Sequence, residues 1–224
     1  MPFHPTLGER LTQNFPIRQN EQDARDLATY KLFLRFFKER VAVRNLQLND
    51  AKIGVVLVFS AMQSTALKPD CWNYFPSAKR MLERDTIARL NGTEIDALKS
   101  FVGGSLIATS KFLHFVNPSR YAMWDANIAR AAYRYTWHQC NRSDRYIEYL
   151  DDIERLKLES KLRGRIRDAI GTGGALRYKE FALFHLGIAE SAPPSAALDL
   201  EAADYPFAPE KFTLDLGTDE DGRQ

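Results

Sequence analysis

Cysteine is scarce in this chain of 224 residues: only Cys71 and Cys140 occur. Two thiols exclude a four-cysteine iron–sulfur cluster. Their wide separation fits reduced side chains serving as small buried hydrophobes. Long apolar runs are missing too. The most apolar segment, Ile53 to Met62, is too short to span a bilayer, so no membrane partner is expected. The first residues lack the charged-then-apolar pattern of a secretion signal, which predicts a cytoplasmic, nucleoid-associated protein. His138 and Cys140 offer two soft ligands without the other two that a zinc site needs. Alternating strand pairs and internal repeats are absent, and the predicted fold class is all-α.

Net charge is small at +2, with 31 basic residues against 29 acidic ones, but it is unevenly spread. From Glu190 onward nine acids face only Lys211 and Arg223, which leaves the preceding body basic. A basic body with an acidic end suits a polyanion, and it also suits an ordinary helical protein. Pro193-Pro194 opens a stretch with little apolar period. The expected division is therefore a helical domain over 1–189 and an irregular, poorly ordered acidic tail over 190–224. Tyr205, Phe207 and Phe212 are the tail residues suited to docking.

Within the body, residues 1–20 read as an arm or loop. Leu27, Tyr30, Phe33, Leu34, Phe37 and Val41 recur at three and four, which predicts an amphipathic helix over 23–43. A buried helix over 48–66 follows, with Gly54 marking close packing. Residues 68–76 form a proline-bounded, aromatic loop carrying Trp72, Tyr74 and Phe75. Further helices are expected over 77–90, 143–158, 159–170 and 176–187, the last with Phe181, Phe184 and Leu186 turned to the core.

The stretch from Asn91 to Tyr135 organises the rest. It reads as a helix opened by Thr93 with Asp96, a Gly103-Gly104 reversal at positive φ, and a second helix. Leu106, Ile107, Phe112, Leu113, Phe115 and Val116 give that second helix its apolar stripe. Asn117-Pro118 ends it. Asp125 then precedes Ala126-Asn127-Ile128-Ala129-Arg130, which places its carboxylate at or near an N-cap. Free amides and the helix dipole favour an anion there, so Asp125 is expected to stay ionised.

This order resembles the helix-hairpin-helix DNA glycosylases. Phe101-Val102-Gly103-Gly104 is similar to their hairpin, with the spacing between glycines lost. Asp125-Ala126-Asn127-Ile128-Ala129-Arg130 is similar to the block that carries their catalytic aspartate. Trp124-Asp125 followed by Ala131-Ala132-Tyr133-Arg134-Tyr135 looks most like the 8-oxoguanine glycosylase-like bacterial branch. The resemblance implies a helix-hairpin-helix glycosylase-like fold, with the hairpin unit at about 93–116 and the aspartate helix at about 125–137. It implies a monomeric DNA N-glycosylase that flips a modified base, 8-oxoguanine or another, out of double-stranded DNA. Asp125 would stabilise the positive charge developing on the sugar and orient water. No cofactor is implied, with room left for a structural monovalent cation at the hairpin. Two alternatives remain: a glycosylase acting on modified phage DNA, and a helix-hairpin-helix module that binds DNA without chemistry.

The remaining candidates follow from that reading. Bifunctional relatives place a lysine just after the hairpin, where this chain has Leu106. Lys111 is the nearest amine, on a different face of the helix but only fourteen positions before Asp125. It is a Schiff-base nucleophile, a phosphate or pocket contact, or a plain surface lysine, and hydrolysis without it is the default. Lys99, Gly103, Gly104, Ser105, Asn127 and Arg130 are candidate DNA contacts, the hairpin amides being aimed at a phosphate. Met62 and Gln63 are candidate wedge residues, and Trp72, Tyr74, His114 and Trp124 candidate walls of a base pocket. For the aromatic residues and His114, a place in the core is the competing reading. For Asp125 it is simple helix capping.

Overall fold

Helix signals and turn chemistry decide each element, and all of them are helical. The structure, a computed structural model, describes residues 3–13, 21–42, 45–62, 67, 69–85, 88–135, 137–171 and 174–191. Among these the fold is all-α, with no strand. The helices are α1 (Leu7–Gln13), α2 (Glu21–Phe36), α3 (Leu48–Ala61), α4 (Phe75–Asp85) and α5 (Gly92–Phe101). They continue as α6 (Leu106–Val116), α7 (Ala126–Tyr133), α8 (Ser143–Arg155), α9 (Ser160–Ile170) and α10 (Ala175–Ser191). No described helix is long and apolar enough to cross a membrane. Residues 192–224, including Tyr205, Phe207 and Phe212, lie outside the described residues.

Several boundaries differ from the expected ones, each for a local reason. The helix at 23–43 divides: α2 ends at Phe36, and Phe37–Val41 form one π-helical turn closed by Ala42 N–H to Phe37 O at 2.8 Å. Residues 69–74 are a 3₁₀ turn running straight into α4, so α4 starts at Phe75 rather than Ser77. The expected Thr93–Asp96 cap is replaced by Asn91, whose side chain accepts from Glu94 N–H while Glu94 bonds back to Asn91 N–H. That reciprocal pair is a capping box, and it starts α5 at Gly92. Part of the N-terminal arm is helical, because Leu7 and Leu11 lie one turn apart and are both buried.

The C-terminal helix outruns its expected end at 187, and Glu190 belongs to it. Its carboxylate takes two hydrogen bonds from Arg10, at 2.7 and 2.9 Å, and one from Arg134 at 2.9 Å. Arg10 also donates to Ala131 O at 2.6 Å, so one buried guanidinium ties α1, α7 and α10 together.

Helix α6 is the centre of the core. From Leu106 to Phe115 every residue is buried except Lys111. Phe112 meets Phe37 and Phe101 edge-on, and Phe115 meets Phe33 and Phe37. Each such ring contributes roughly 1.5–3 kcal/mol by burial alone. Gly54 does mark close packing: a Cβ there would lie 3.1 Å from the Phe37 ring and 3.3 Å from the Phe112 ring. Helices α7 and α10 make the most extensive helix pair. At Gly187 they meet so closely that a Cβ would fall 2.1 Å from the carbonyl oxygen of Asn127.

Candidate active site

Asp125 is the N-cap of α7, in extended backbone, and its Oδ1 accepts from Ile128 N–H at 2.9 Å. A cap of this kind stabilises by about 1 kcal/mol. Capping does not fix its ionisation as expected. Burial raises the Asp125 pKa above the ordinary carboxylate value, against the lowering by the Ile128 amide, the Lys111 amine and the Asn127 amide. The correction has a simple cause: two amides and a distant cation do not replace the water that the fold removes. Asp125 is a proton-accepting carboxylate rather than a strongly acidic one.

Lys111 lies within electrostatic reach of that carboxylate, without an ion pair between them. The fourteen-residue separation and the difference in helix face do not keep them apart, because the connector folds back over α6. Ser110, the neighbour of Lys111, makes the clasp. Its Oγ accepts from Trp124 N–H at 3.0 Å, lies 3.1 Å from Trp124 O, and donates to Ile107 O at 2.8 Å. Lys111 is half-buried, and loss of solvent lowers its pKa, with Asp125 opposing and Arg177 reinforcing that fall. Among the described residues, none forms a hydrogen bond or ion pair with its amine. A half-buried lysine amine of lowered pKa, within electrostatic reach of a carboxylate, is a candidate nucleophile.

Behind this pair stands a buried polar group that sequence reasoning missed. Glu180 of α10 is 1% exposed, and its Oε1 accepts from Met123 N–H and lies 3.1 Å from His114 Nδ1. His114 Nδ1 is also 2.8 Å from Tyr121 O, which assigns the proton to that nitrogen, and Nε2 pairs with Tyr30 Oη at 2.8 Å. Burial pushes the Tyr30 hydroxyl up to about 12. Arg177, one turn before Glu180, lays its guanidinium over the Tyr30 ring at 4.4 Å, with Glu180 Oε2 at 3.5 Å and Met123 Sδ at 3.9 Å. The available signal was periodicity: Glu180 stands on the stripe Leu176, Leu183, Gly187, where a core residue belongs.

The expected pocket walls scatter. Trp124 is wholly buried, its indole N–H donating to Cys140 O at 2.8 Å and its ring 4.9 Å from Tyr149. His114 is wholly buried as well, in the group just described. For both, the core reading replaces the pocket reading, since neither has surface to offer a base. Trp72 is half-buried against the edge of Phe101 at 5.8 Å, with the Lys52 amine over its ring, and Tyr74 is exposed. Met62 closes the C-terminus of α3, half-buried against the core. Gln63 lies outside the described residues.

The hairpin has the expected backbone and an unexpected use for its amides. Gly103 and Gly104 adopt φ of 68° and 82°, a region that L side chains rarely enter. Gly104 N–H donates to Lys99 O at 2.8 Å, and Leu106 N–H to Asn141 Oδ1 at 2.8 Å. Ser105 caps α6 by accepting from Ala108 N–H at 3.2 Å, and the Gly103 amide bonds the Cys71 thiol. These amides are spent inside the protein and are not aimed at a phosphate. Lys99 is likewise engaged, its amine 2.7 Å from Asp96 Oδ1. Arg130 donates to Asn127 Oδ1 at 3.3 Å and Gly187 O at 3.4 Å, bracing α7 against α10.

Both cysteines are buried thiols, and burial together with the Asp125 carboxylate raises Cys140 to about 11. Comparison with family models, with curated proteins and with solved structures returns no match. The assignment of the site rests on its own geometry.

Proposed function

We propose that this protein is a DNA N-glycosylase whose reaction centre is the Lys111–Asp125 pair. The observation that carries the reading is Lys111: the one position of α6 between Leu106 and Phe115 that is not buried, with an amine that has no hydrogen-bond or ion-pair partner among the described residues and lies within electrostatic reach of the capped Asp125 carboxylate. The resemblance of residues 101–104 and 125–130 to helix-hairpin-helix glycosylases supplies the substrate, a modified base turned out of duplex DNA. The basic body is compatible with that polymer.

The chemistry balances on these two groups. The Lys111 lone pair forms a bond to C1′ as the glycosidic electron pair leaves with the base. The surplus proton of the new ammonium passes to Asp125, whose raised pKa suits it to receive one. From there it reaches the departing base or the ring oxygen as the sugar opens to a Schiff base. Asp125, having passed that proton on, takes a proton from C2′, and the electron pair so freed forms the new double bond and expels the 3′ phosphate. The alternative of Asp125 orienting water, with Lys111 as a mere neighbouring charge, leaves the lowered pKa of that amine without a role. A binding module without chemistry leaves the Lys111–Asp125 pair without a use, and the occupied hairpin amides serve it no better than they serve the glycosylase.

A panel of duplexes with single modified bases tests the reading. Wild type is expected to release at least one base, with Asp125→Asn reducing the rate by about a hundredfold or more. Release undiminished in Asp125→Asn would sink it.

A further inference from the structure

Asp125 stands midway between two grips of α10. Two residues before it, the Met123 amide donates to Glu180 Oε1. Two residues after it, the Asn127 carbonyl packs against Gly187, where a Cβ would fall 2.1 Å from its oxygen. Glu180 and Gly187 lie about two turns apart on the same helix, roughly 10 Å along its axis. One helix thus spans the segment that carries the carboxylate. Residues 122–124 have need of such a hold, for they lie outside any helix and form no backbone–backbone hydrogen bond among the described residues. Buried side chains hold them instead. Tyr146 Oη donates to Ala122 O at 2.8 Å, Ser110 Oγ accepts from Trp124 N–H at 3.0 Å, and Glu180 takes the Met123 amide. Glu180 is the one carboxylate among these three. It is itself located by two further neighbours, with Oε1 3.1 Å from His114 Nδ1 and Oε2 3.5 Å from Arg177 Nη1.

Stability alone does not call for a carboxylate here. Glu180 is 1% exposed, on the stripe of α10 where an apolar residue would fill the same space. Buried polar partners are often no more stable than well-packed apolar ones, and what they add is a defined geometry. We propose that Glu180 is a positioning residue for the reaction: by accepting the Met123 amide, it sets where the connector delivers the Asp125 carboxylate. This rests on the reading of Asp125 and Lys111 as the reaction centre. The hold is a hydrogen bond, so it depends on the reach of the side chain, and the charge only strengthens it. Without it, Gly187 still fixes Asn127 on the far side, and the residues before Asp125 lose their tie to α10.

Two variants separate reach from charge. Glu180→Gln keeps an acceptor at the Met123 amide and loses the charge, whereas Glu180→Asp keeps the charge and falls one methylene short. Hydrogen exchange of the intact protein, read by mass spectrometry on the peptide covering 121–125, measures the hold directly. Glu180→Asp is expected to exchange there about tenfold faster or more, with peptides from α3 and α5 unchanged, and Glu180→Gln to stay within about threefold of wild type. Single-turnover base release is expected to fall about thirtyfold in Glu180→Asp at unchanged duplex Kd, and to stay within about threefold in Glu180→Gln. A role in overall stability speeds exchange across all helices alike, and a role of charge reverses the order of the two variants. Either result overturns the proposal. So does wild-type exchange at 121–125 in Glu180→Asp, or wild-type release from a Glu180→Asp that exchanges faster. Should Glu180→Asp not fold by circular dichroism, Glu180→Met, of like length and without an oxygen acceptor, replaces it under the same expectations. If exchange follows the expected order and wild type releases no base from any duplex, Glu180 keeps its hold on the connector and the glycosylase reading falls.

Discussion

Ser110 grips the backbone of Trp124 at both ends: its hydroxyl accepts the Trp124 amide at 3.0 Å and lies 3.1 Å from the Trp124 carbonyl. The next residues in the chain are Lys111 and Asp125. A single buried hydroxyl thus fixes the register between the central helix and the connector, and through it the placement of the two groups proposed to carry the chemistry.

Ser110→Ala removes that clasp and leaves the Trp124 amide buried without a partner. The expected cost is about 1–3 kcal/mol in urea denaturation, with base release falling about tenfold or more because the pair is no longer held. Ser110→Cys, which keeps a weak acceptor, is expected to fall between. Full activity in a destabilised Ser110→Ala would show that the clasp serves folding alone.

Gly187→Ala tests how α7 is placed. A Cβ at this position would meet the Asn127 carbonyl oxygen at 2.1 Å and its carbon at 2.5 Å, both backbone atoms with no freedom to yield. The two helices must separate, at about 3 kcal/mol, and the N-terminus of α7 moves with them. Denaturation curves check the stability, and a loss below about 1 kcal/mol would mean the helices slide past each other without strain.

Much of this was legible in the sequence, and the boundary is physical. Periodicity gave the all-α class, and Asp125 before a good helix former gave the cap, because both are local properties. The Gly103-Gly104 reversal at positive φ was legible for the same reason. The capping box at Asn91 and Glu94 has the right residue types at the right spacing, and Thr93 with Asp96 competes with it on the same local signal. What the sequence did not show is the return of the connector across α6, which joins Ser110 to Trp124 and so brings Lys111 within electrostatic reach of Asp125. Glu180 and Arg177 come from α10, more than fifty residues away, and no local pattern ties them to Lys111. The expected lowering of the Asp125 pKa failed because a cap is a local feature and desolvation is a property of the whole fold.

Lys111→Met is expected to stabilise the protein while abolishing its chemistry. The Lys111 pKa is lowered from the ordinary 10.5 by burial, so the unfolded chain binds the proton more tightly than the folded one. The cost is full below the folded value and vanishes as pH rises past the unfolded one. Methionine has no such cost, so its gain in melting temperature should be largest near neutral pH and shrink towards pH 10.5 and above. Parallel melting curves across pH check this. A gain independent of pH would trace the effect to packing instead of charge.

The central claim is that the Lys111 amine attacks the sugar of a modified nucleotide. Borohydride added during reaction with a modified-base duplex would reduce a Schiff base to a stable protein–DNA adduct, and peptide mass spectrometry would locate it. The account predicts an adduct on Lys111, absent in Lys111→Ala. An adduct on another lysine, or base release by Lys111→Ala at the wild-type rate, would contradict it.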